Sequence, residues 1–266
     1  MSERVKIEFR DGVADVRMSR ADKMNAIDSA MFSALGDAGR ALAEDKSVRA
    51  VVLSGEGRAF CAGLDMESFA AMAGPRSGGA DPKLFERSSS GANRAQLAAW
   101  IWQELPVPVI AAVHGVAYGG GLQIALGADL RIVAPDARLS VMEVKWGLIP
   151  DMSGTQTLRR LVRLDVAKEL TFTGRVVSGT EAVALGLATR TSEKPLDDAL
   201  ALAREIAGKS PDAIRAAKRL LQQSWQGSIA DGLKLEEELQ RSLIGKPNQL
   251  ESVKANFEKR APKFTD

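Results

Sequence analysis

The sequence predicts an α/β fold. Two short, wholly apolar runs, residues 50–53 and 109–113, have the length and composition of buried strands, and each is followed by a glycine-containing turn. Helical periodicity accompanies each run, so the repeated unit is a strand, a glycine turn and a helix. The chain has 266 residues, which is enough for one large domain or for a domain with an appendage.

The N-terminal segment is predicted to form a hairpin followed by a parallel crossover. Apolar residues alternate with charged ones in residues 5–9, and Asp11-Gly12 supplies a turn before a second apolar run. Helical spacing then predicts a helix that ends near Asp45. Because the apolar strand 50–53 follows this helix, the order of elements favours a parallel crossover.

The middle of the chain repeats the same unit. Residues 66–91 contain paired glycines and are predicted to be a mobile loop with helical ends. A helix over residues 92–105 leads to the apolar strand 109–113, and the glycine cluster 119–121 opens the next helical run. Residues 130–133 are predicted to form a third buried strand.

The pattern changes to nearly continuous helix from about residue 196. Leu200, Ala203 and Ile206 share one helical face, and a later segment carries leucines at helical spacing among many glutamates. Such faces need a packing partner, either the core or another subunit. We therefore divide the chain into a core, residues 1–195, and a C-terminal helical region, residues 196–266, that packs tightly on it.

Composition argues against several classes of function. Lys and Arg number 36 against 34 acidic residues, a net charge of +2, which gives no support for a nucleic-acid-binding surface. Cys61 and His114 are the sole residues of their types, so a disulfide within the chain and a thiolate metal cluster are excluded. Neither a signal peptide nor an apolar stretch of membrane-spanning length stands out. We expect a cytoplasmic protein with no metal and no resident cofactor.

Two glycine-containing turns that follow the apolar strands are the first candidates for a site. They span residues 58–65 and 114–121. Glycine lets backbone N–H groups approach a ligand, and such groups at a helix start are unpaired and lie at the positive end of the dipole. Together, the turns could offer two donors to one oxygen, forming an oxyanion hole. Close packing of helices on strands also selects glycine, and this alternative stays open.

A second candidate is the largely apolar stretch 141–156, which carries the acids Glu143 and Asp151. A carboxylate removed from water has a raised pKa that suits proton transfer. Two structural roles stay open, with Glu143 as an exposed strand residue and Asp151 as a turn or cap residue. Ser153 and Gln156 have the spacing of a capping box for a following helix.

Eight short motifs occur in order along the chain. They are SRADKMNA (19–26), AFCAGLD (59–65), HGVAYGGG (114–121), GLIP (147–150), GTQ (154–156), FTG (172–174), AVALGL (182–187) and FEKR (257–260). With these motifs the chain resembles the crotonase, or enoyl-CoA hydratase/isomerase, family over essentially its whole length. Each motif is weak alone, but their order and spacing make the resemblance specific.

The resemblance implies a crotonase-like spiral core of repeated ββα units with a C-terminal helical trimerisation region, and trimers that often pair into hexamers. It also implies an acyl-CoA thioester ligand whose thioester oxygen accepts two backbone N–H bonds, here from Ala62 and Gly120. Lys259 is placed where a C-terminal lysine reaches CoA phosphates, sometimes across a subunit boundary. The positions expected to contact CoA or the acyl group are Lys23, Ala26, Ala62, Gly63, Leu64, Asp65, Gly119, Gly120, Gln123, Trp146 and Lys259.

The catalytic carboxylates depart from the family pattern. Family hydratases carry two glutamates, and the matching positions here are Gln123 and Glu143. Because Gln123 cannot exchange protons in the working pH range, the paired-glutamate activation of water is incomplete. Asp151 stands where hydratases usually have glycine. Dienoyl-CoA isomerases of the family have an acid at the Asp151 position, an equivalent of Glu143 and a third acid in place of Gln123. The dehalogenase branch uses an aspartate at the Asp151 position as its nucleophile, but it has no acid that matches Glu143.

We therefore predict an enzyme that shuttles protons on a thioester enolate. Glu143 is the expected principal base and acid and Asp151 the second acid, so that a double bond migrates within an enoyl- or dienoyl-CoA. Hydration of a 2-enoyl-CoA to a 3-hydroxyacyl-CoA is the close alternative. Further alternatives are a hydrolase or dehalogenase with Asp151 as nucleophile and a non-catalytic CoA-binding or RNA-binding relative. Cys61 and His114, although beside the turns, are ascribed to packing.

Overall fold

The structure, a computed structural model, describes residues 3–73, 87–225 and 227–266. Of the predicted loop 66–91, residues 74–86 lie outside the described residues; its first end is helical as predicted, whereas residues 87–91 are not helical. The strands are β1 (Val5–Arg10), β2 (Val13–Met18), β3 (Ala50–Gly55), β4 (Val109–Val113), β5 (Val116–Tyr118), β6 (Leu130–Val133), β7 (Arg138–Ser140), β8 (Val177–Ser178) and β9 (Arg190–Thr191). The α-helices are α1 (Ser29–Glu44), α2 (Met66–Ala73), α3 (Arg94–Glu104), α4 (Gly120–Leu126), α5 (Gly154–Leu161), α6 (Leu164–Thr173), α7 (Gly179–Leu185), α8 (Pro195–Ala207), α9 (Pro211–Ser224), α10 (Ile229–Leu243) and α11 (Pro247–Phe257).

The main sheet has six strands in the order β1-β2-β3-β4-β6-β9. β1 and β2 pair antiparallel through the turn at Asp11 and Gly12, whose φ angles of 52° and 77° are left-handed. The other neighbours in this sheet pair parallel. The predicted hairpin, the α1 crossover and the three apolar strands are thus confirmed, as is the α/β class.

Helices α1 and α3 cover one face of this sheet and α8 covers the other. The Asp28 side chain caps α1 by accepting the amide of Met31 at 2.8 Å, and Asn93 forms a capping box with Gln96 at the start of α3. On the opposite face, alanines of α8 pack on apolar side chains of β3, β4 and β6. The first helix of the C-terminal region therefore buries the sheet that carries the site.

Three local features differ from the predictions. A second sheet, β5-β7-β8, was not predicted because its strands have only two or three residues and show no readable alternation. Ser153 precedes α5, but its hydroxyl makes no capping bond because the residue is left-handed with φ 67°, so the predicted capping box is wrong. The C-terminal region is divided into α8–α11 by short breaks rather than being nearly continuous.

Two searches of the described residues gave negative results. No helix among them has the length and apolar character needed to cross a membrane. The same residues contain no group of three or more His, Cys, Asp or Glu side chains placed to hold a metal ion.

Candidate active site

The two glycine turns lie against each other because the strands that precede them, β3 and β4, are parallel neighbours. The amide of Cys61 donates to the Val116 carbonyl, and the amide of Tyr118 donates to the Cys61 carbonyl, both at 3.0 Å. A β-carbon added to Gly63 would lie 2.7 Å from the Tyr118 carbonyl oxygen and 3.9 Å from the Gly120 nitrogen. The amides that follow the two strands therefore lie close together.

The amides available where the two turns meet differ in part from the prediction. The N–H of Ala62 donates to the Met24 carbonyl at 2.9 Å, so it is already engaged. The N–H groups of Leu64 and Gly120 have no acceptor among the described residues. The available donor on this turn is thus the amide of Leu64, two residues after Ala62. Ala62 is therefore not supported as an oxyanion donor, and Leu64 takes its place beside Gly120.

A buried asparagine holds the loop that receives the Ala62 amide. Asn25 has no solvent-exposed surface and adopts a left-handed φ of 55°. Its Oδ1 accepts the Arg20 amide at 2.8 Å, and its Nδ2 donates to the carbonyls of Glu56 and Ala59, both at 2.9 Å. This structural role was not predicted, although asparagine is among the residues that favour left-handed backbone.

Asp65, predicted to contact CoA, is occupied by structural bonds. Its carboxylate is buried and accepts bonds from the Arg20 guanidinium and from the Glu67 amide, the latter at 2.8 Å. The Glu67 amide bond, joined by the charge of Arg20, lowers the pKa of Asp65. Arg20 also donates to the Ala26 carbonyl at 3.1 Å, so Asp65 ties the Leu64 turn to the preceding loop.

The predicted CoA positions on that loop differ in exposure. Lys23 is exposed, with Nζ 3.9 Å from a carboxylate oxygen of Glu67, while Ala26 is buried. The ammonium group of Lys23 thus faces solvent, whereas Ala26 is enclosed, and the CoA contacts of both residues stay predictions.

Glu143 begins a short 3₁₀ helix, Glu143–Trp146, and its carboxylate faces the glycine turn. The residue is buried, and a β-carbon at Gly119 would lie 3.4 Å from Oε1. Oε1 accepts a bond from Nε2 of Gln123 at 2.6 Å, while Oε2 is buried with no hydrogen-bond partner among the described residues. Burial raises the pKa of Glu143, and the charge of Asp151 adds to the rise.

Asp151 lies in the loop before α5, close enough for its charge to act on Glu143. The residue is exposed overall, yet partial desolvation of its carboxylate raises its pKa. Glu143 and Asp151 therefore form a pair of acids, one buried and one at the solvent side. The structure brings these two predicted catalytic residues together.

Gln123 lies between these acids on α4. It is buried, and its Oε1 accepts the amides of Met152 and Gly154, both at 2.8 Å. Its Nε2 donates to Glu143. The side chain predicted to contact substrate is thus bonded at one end to Glu143 and at the other to the loop that follows Asp151.

Trp146 and Lys259 lie in different places. Trp146 is about half exposed, in an apolar surface that includes Leu148 and Ile149. Lys259 is exposed after α11, which packs on α9, and the chain then ends at Asp266, 2.8 Å from Arg49. Arg49 precedes β3, whereas the glycine turn follows that strand, so Asp266 contacts the end of β3 opposite to this turn.

Cys61 and His114 form no thiol–imidazole pair. Burial raises the pKa of Cys61 to about 12, and its Sγ lies 3.1 Å from the Asn25 carbonyl. The His114 Nε2 lies 2.9 Å from the Gly57 carbonyl. A thiolate nucleophile is therefore not available here, in agreement with the prediction that these residues serve packing.

Comparisons with known proteins agree with this architecture. The family model described as enoyl-CoA hydratase/isomerase matches residues 8–266. The methylglutaconyl-CoA hydratase of human mitochondria is 35% identical over 264 residues, covering 97% of this chain and 75% of that protein. The bovine mitochondrial enoyl-CoA hydratase domain-containing protein 2 is 36% identical over 260 residues, covering 95% of this chain and 84% of that protein.

Solved structures give the same result for the fold. The enoyl-CoA hydratase of Mycobacterium smegmatis superposes with a TM-score of 0.84 at 33% identity, and that of Bacillus anthracis with 0.87 at 30% identity. In both comparisons 98% of each chain is covered. The expected crotonase-like fold is thereby confirmed.

Proposed function

This chain belongs to the enoyl-CoA hydratase/isomerase family, and from that premise we propose that it moves a double bond within an enoyl- or dienoyl-CoA. The observation that supports this most strongly is the pair of acids, Glu143 and Asp151, whose pKa values are both raised beside the converging turns. Gln123, at the remaining position where an acid could act, has no proton to exchange. The chemistry uses no cofactor other than the CoA carried by the substrate.

The amides of Leu64 and Gly120 supply the electrostatic part of the reaction. Both N–H groups lack an acceptor among the described residues and lie on adjoining turns. When both N–H groups donate hydrogen bonds to the thioester oxygen, they stabilise the negative charge that develops on this oxygen as a carbon-bound proton is removed. This lowers the cost of forming the enolate before any side chain returns a proton.

The carboxylates supply the proton transfers. Ionised Glu143 removes a proton from a carbon conjugated with the thioester, and the electron pair of the broken C–H bond enters the enolate. Asp151, in its protonated form, delivers a proton to a different carbon, and the double bond shifts. The substrate gains and loses one proton, and the two carboxyl groups return to their starting states by exchange with solvent.

Hydration is the second candidate, since relatives named as hydratases are 35% identical to this chain. The unpartnered Oε2 of Glu143 is suited to hold a water molecule. Against it, Gln123 cannot supply or accept the second proton that addition of water requires. We therefore place isomerisation first.

The test is product analysis with 2-enoyl-, 3-enoyl- and 3,5-dienoyl-CoA by mass spectrometry. We expect a product of unchanged mass with a displaced double bond from at least one substrate. A product heavier by one water from the 2-enoyl substrate, formed at an enzymatic rate, would instead establish the hydratase. Binding without any conversion would contradict both and direct attention to nucleophilic chemistry at Asp151.

We also propose that the chain assembles as a trimer or a dimer of trimers. Two groups of apolar side chains are exposed on the single chain, more than an isolated protein usually presents. One lies on the C-terminal helices and comprises Leu221, Trp225, Ile229, Leu233, Ile244, Leu250, Val253 and Phe257. The other lies near the site and comprises Val144, Trp146, Leu148, Ile149, Leu164, Phe172 and Val176. Contact between subunits would cover both groups and could bring Lys259 to a neighbouring site.

A further inference from the structure

Gln123 makes three hydrogen bonds at the site, and together they use both ends of its amide. Nε2 donates to Oε1 of Glu143 at 2.6 Å, and Oε1 accepts the amides of Met152 and Gly154 at 2.8 Å each. Only 2% of the residue is exposed, so water does not compete for these bonds. The amide is therefore part of a closed polar network between two loops.

These bonds allow one orientation of the amide. If the group were reversed, its NH₂ would face the backbone N–H groups of Met152 and Gly154, and its oxygen would face the Glu143 carboxylate. Both contacts would be repulsive, because donors would meet donors and acceptors would meet an acceptor. The direction of the Gln123 amide is thus set by the backbone of the loop that begins α5.

We propose that Gln123 is a positioning residue that selects the reactive oxygen of Glu143 and connects Glu143 to the loop carrying Asp151. Its bond to Oε1 occupies that oxygen, so Oε2, which has no partner among the described residues, is left for the substrate. At its other end Oε1 accepts the backbone amides of Met152 and Gly154, which lie one and three residues after Asp151 in the chain. One side chain therefore fixes the relative placement of both acids.

The approach of the loop depends on a glycine. A β-carbon at Gly154 would lie 2.6 Å from Oε1 of Gln123, a distance that only a displacement of the amide could relieve. The absence of a side chain at Gly154 thus lets the loop approach α4 closely enough for two of its backbone amides to donate to the amide oxygen of Gln123. Such an arrangement is unnecessary if Gln123 merely fills space.

The charged groups around Glu143 decide how the network affects its titration. Asp151 raises the pKa of Glu143, and the bond from Gln123 lowers it, because the bond favours the charged carboxylate. On α6, which packs against this 3₁₀ helix, Glu169 pairs with Arg175 at 2.7 Å. Lys145 of the same short helix lies over an indole ring, 5.6 Å from its centroid.

The test is a titration of Glu143 in Gln123→Met, which keeps the length of the side chain and removes its hydrogen bonds. The carboxyl signals of ¹³C-labelled glutamate are followed by NMR, with Glu143→Gln identifying the signal. We expect the pKa of Glu143 to rise by about one to two units, the equivalent of a lost bond to a charged group. In turnover, kcat should fall while KM changes little, and the acidic limb of the pH profile should move to higher pH.

Gln123→Glu provides the conservative counterpart. A protonated glutamic acid can donate to Glu143 as the amide does, whereas an ionised one repels it. We expect this variant to exceed Gln123→Met in activity at low pH and to lose that advantage as pH rises. If Gln123→Met does not fold, Gln123→Asn, which keeps an amide but is too short to reach both loops, replaces it in the titration.

An unchanged Glu143 pKa in the folded variant would overturn the proposal, because it would mean that Gln123 only fills the core. The proposal rests on the role assigned to Glu143 in the proposed function. The titration itself needs no turnover, so it remains decisive even if the isomerase assay fails. Conversely, the unmodified protein could prove to be an isomerase while Gln123→Met leaves the pKa of Glu143 unchanged. That result would support the proposed function and reject the positioning role of Gln123.

Discussion

The two oxygens of Glu143 have different surroundings, and this difference defines its chemistry. Oε1 is bonded to Gln123, while Oε2 is buried without a partner among the described residues. A buried carboxylate with one unoccupied oxygen is costly to ionise, which is why its pKa is raised. The same cost makes it a stronger base once it is ionised.

Replacement of Glu143 by Gln should remove the proton transfers and keep the shape of the site. We expect kcat to fall about 10²- to 10⁴-fold, the usual contribution of a general acid–base group, while acyl-CoA binding persists in calorimetry. Glu236→Gln, on the exposed surface of α10, is the matched control and should retain full activity. A rate for Glu143→Gln within tenfold of the unmodified protein would disprove its role as the base.

The pH dependence follows from the direction of the Glu143 pKa. Because burial raises this pKa, the base form is lost at a higher pH than for an ordinary glutamate near 4.3. We expect kcat/KM to rise with pH as Glu143 ionises and to fall again as Asp151, whose pKa is also raised, loses the proton that it delivers, as measured in steady-state assays over buffers of constant ionic strength. A profile that is flat down to the ordinary glutamate range would contradict this environment.

At the scale of single residues, the sequence predicted which acidic side chains lie at the site better than it predicted which backbone N–H groups are available there. Glu143 and Asp151 could be identified as candidates because apolar surroundings raise the pKa of an acid, and raised pKa values are common at functional sites. The choice between the amides of Ala62 and Leu64 depends on which way each N–H points, and that is fixed by the Met24 carbonyl. No sequence pattern carries that direction.

Among the elements, the two glycine turns have the strictest steric requirements. Gly63 has a φ of 89°, and a β-carbon there would lie 2.7 Å from the Tyr118 carbonyl oxygen. The conformation and the close approach both need glycine, so this residue sets the distance between the amides of Leu64 and Gly120, which we propose as the oxyanion donors.

Gly63→Ala should therefore lower both stability and activity. Gly245→Ala is a matched control, because Gly245 also has a positive φ, 75°, but nothing lies within 4 Å of its added β-carbon. We expect Gly63→Ala to lose roughly 1–3 kcal/mol more unfolding free energy than the control, measured by denaturant titration, since it adds overpacking to backbone strain. Its kcat should also fall, whereas that of Gly245→Ala should not. Equal effects of the two variants would show that the turns are not in tight contact.

The regular elements were predictable where their patterns were long enough. Helix α1 and the strands β3 and β4 have helical spacing or apolar runs that match their burial, and the alternation in β1 identified the hairpin although Phe9 is 50% exposed. Strands β5, β7 and β8 were missed because two or three residues are too few to show an alternation of apolar and polar side chains. The capping prediction at Ser153 failed because spacing does not report a left-handed backbone.

On the scale of the whole molecule, the C-terminal region both joins the core and leaves apolar surface exposed. Lys218 of α9 is buried and bonds to Asp129 at 2.8 Å and to the Val107 carbonyl at 2.9 Å, which anchors this helix to the sheet. Helices α10 and α11 present mainly exposed residues. The predicted division at residue 195 stays a prediction, and α8 packs on the sheet as part of one hydrophobic cluster.

The double substitution Ile229→Glu with Leu233→Glu tests the proposed assembly. Both side chains are exposed on α10, so the monomer should fold normally while burial between subunits becomes unfavourable. Light scattering after size-exclusion chromatography should show a trimer or hexamer for the unmodified chain and smaller species for the variant. Lys234→Glu, on the same helix, is the control and should keep the assembly. A monomeric unmodified chain would refute the proposal.

The central claim, that Glu143 and Asp151 divide the proton transfers, is tested most directly by locating deuterium in acyl-CoA recovered from reactions in D₂O. NMR of the thioester should show that Asp151→Asn still exchanges the proton that Glu143 removes but no longer forms the shifted double bond. The unmodified protein should give the isomer with deuterium at the newly protonated carbon. Isomer formation by Asp151→Asn at the unmodified rate, or a hydrated product from the unmodified protein, would contradict the claim.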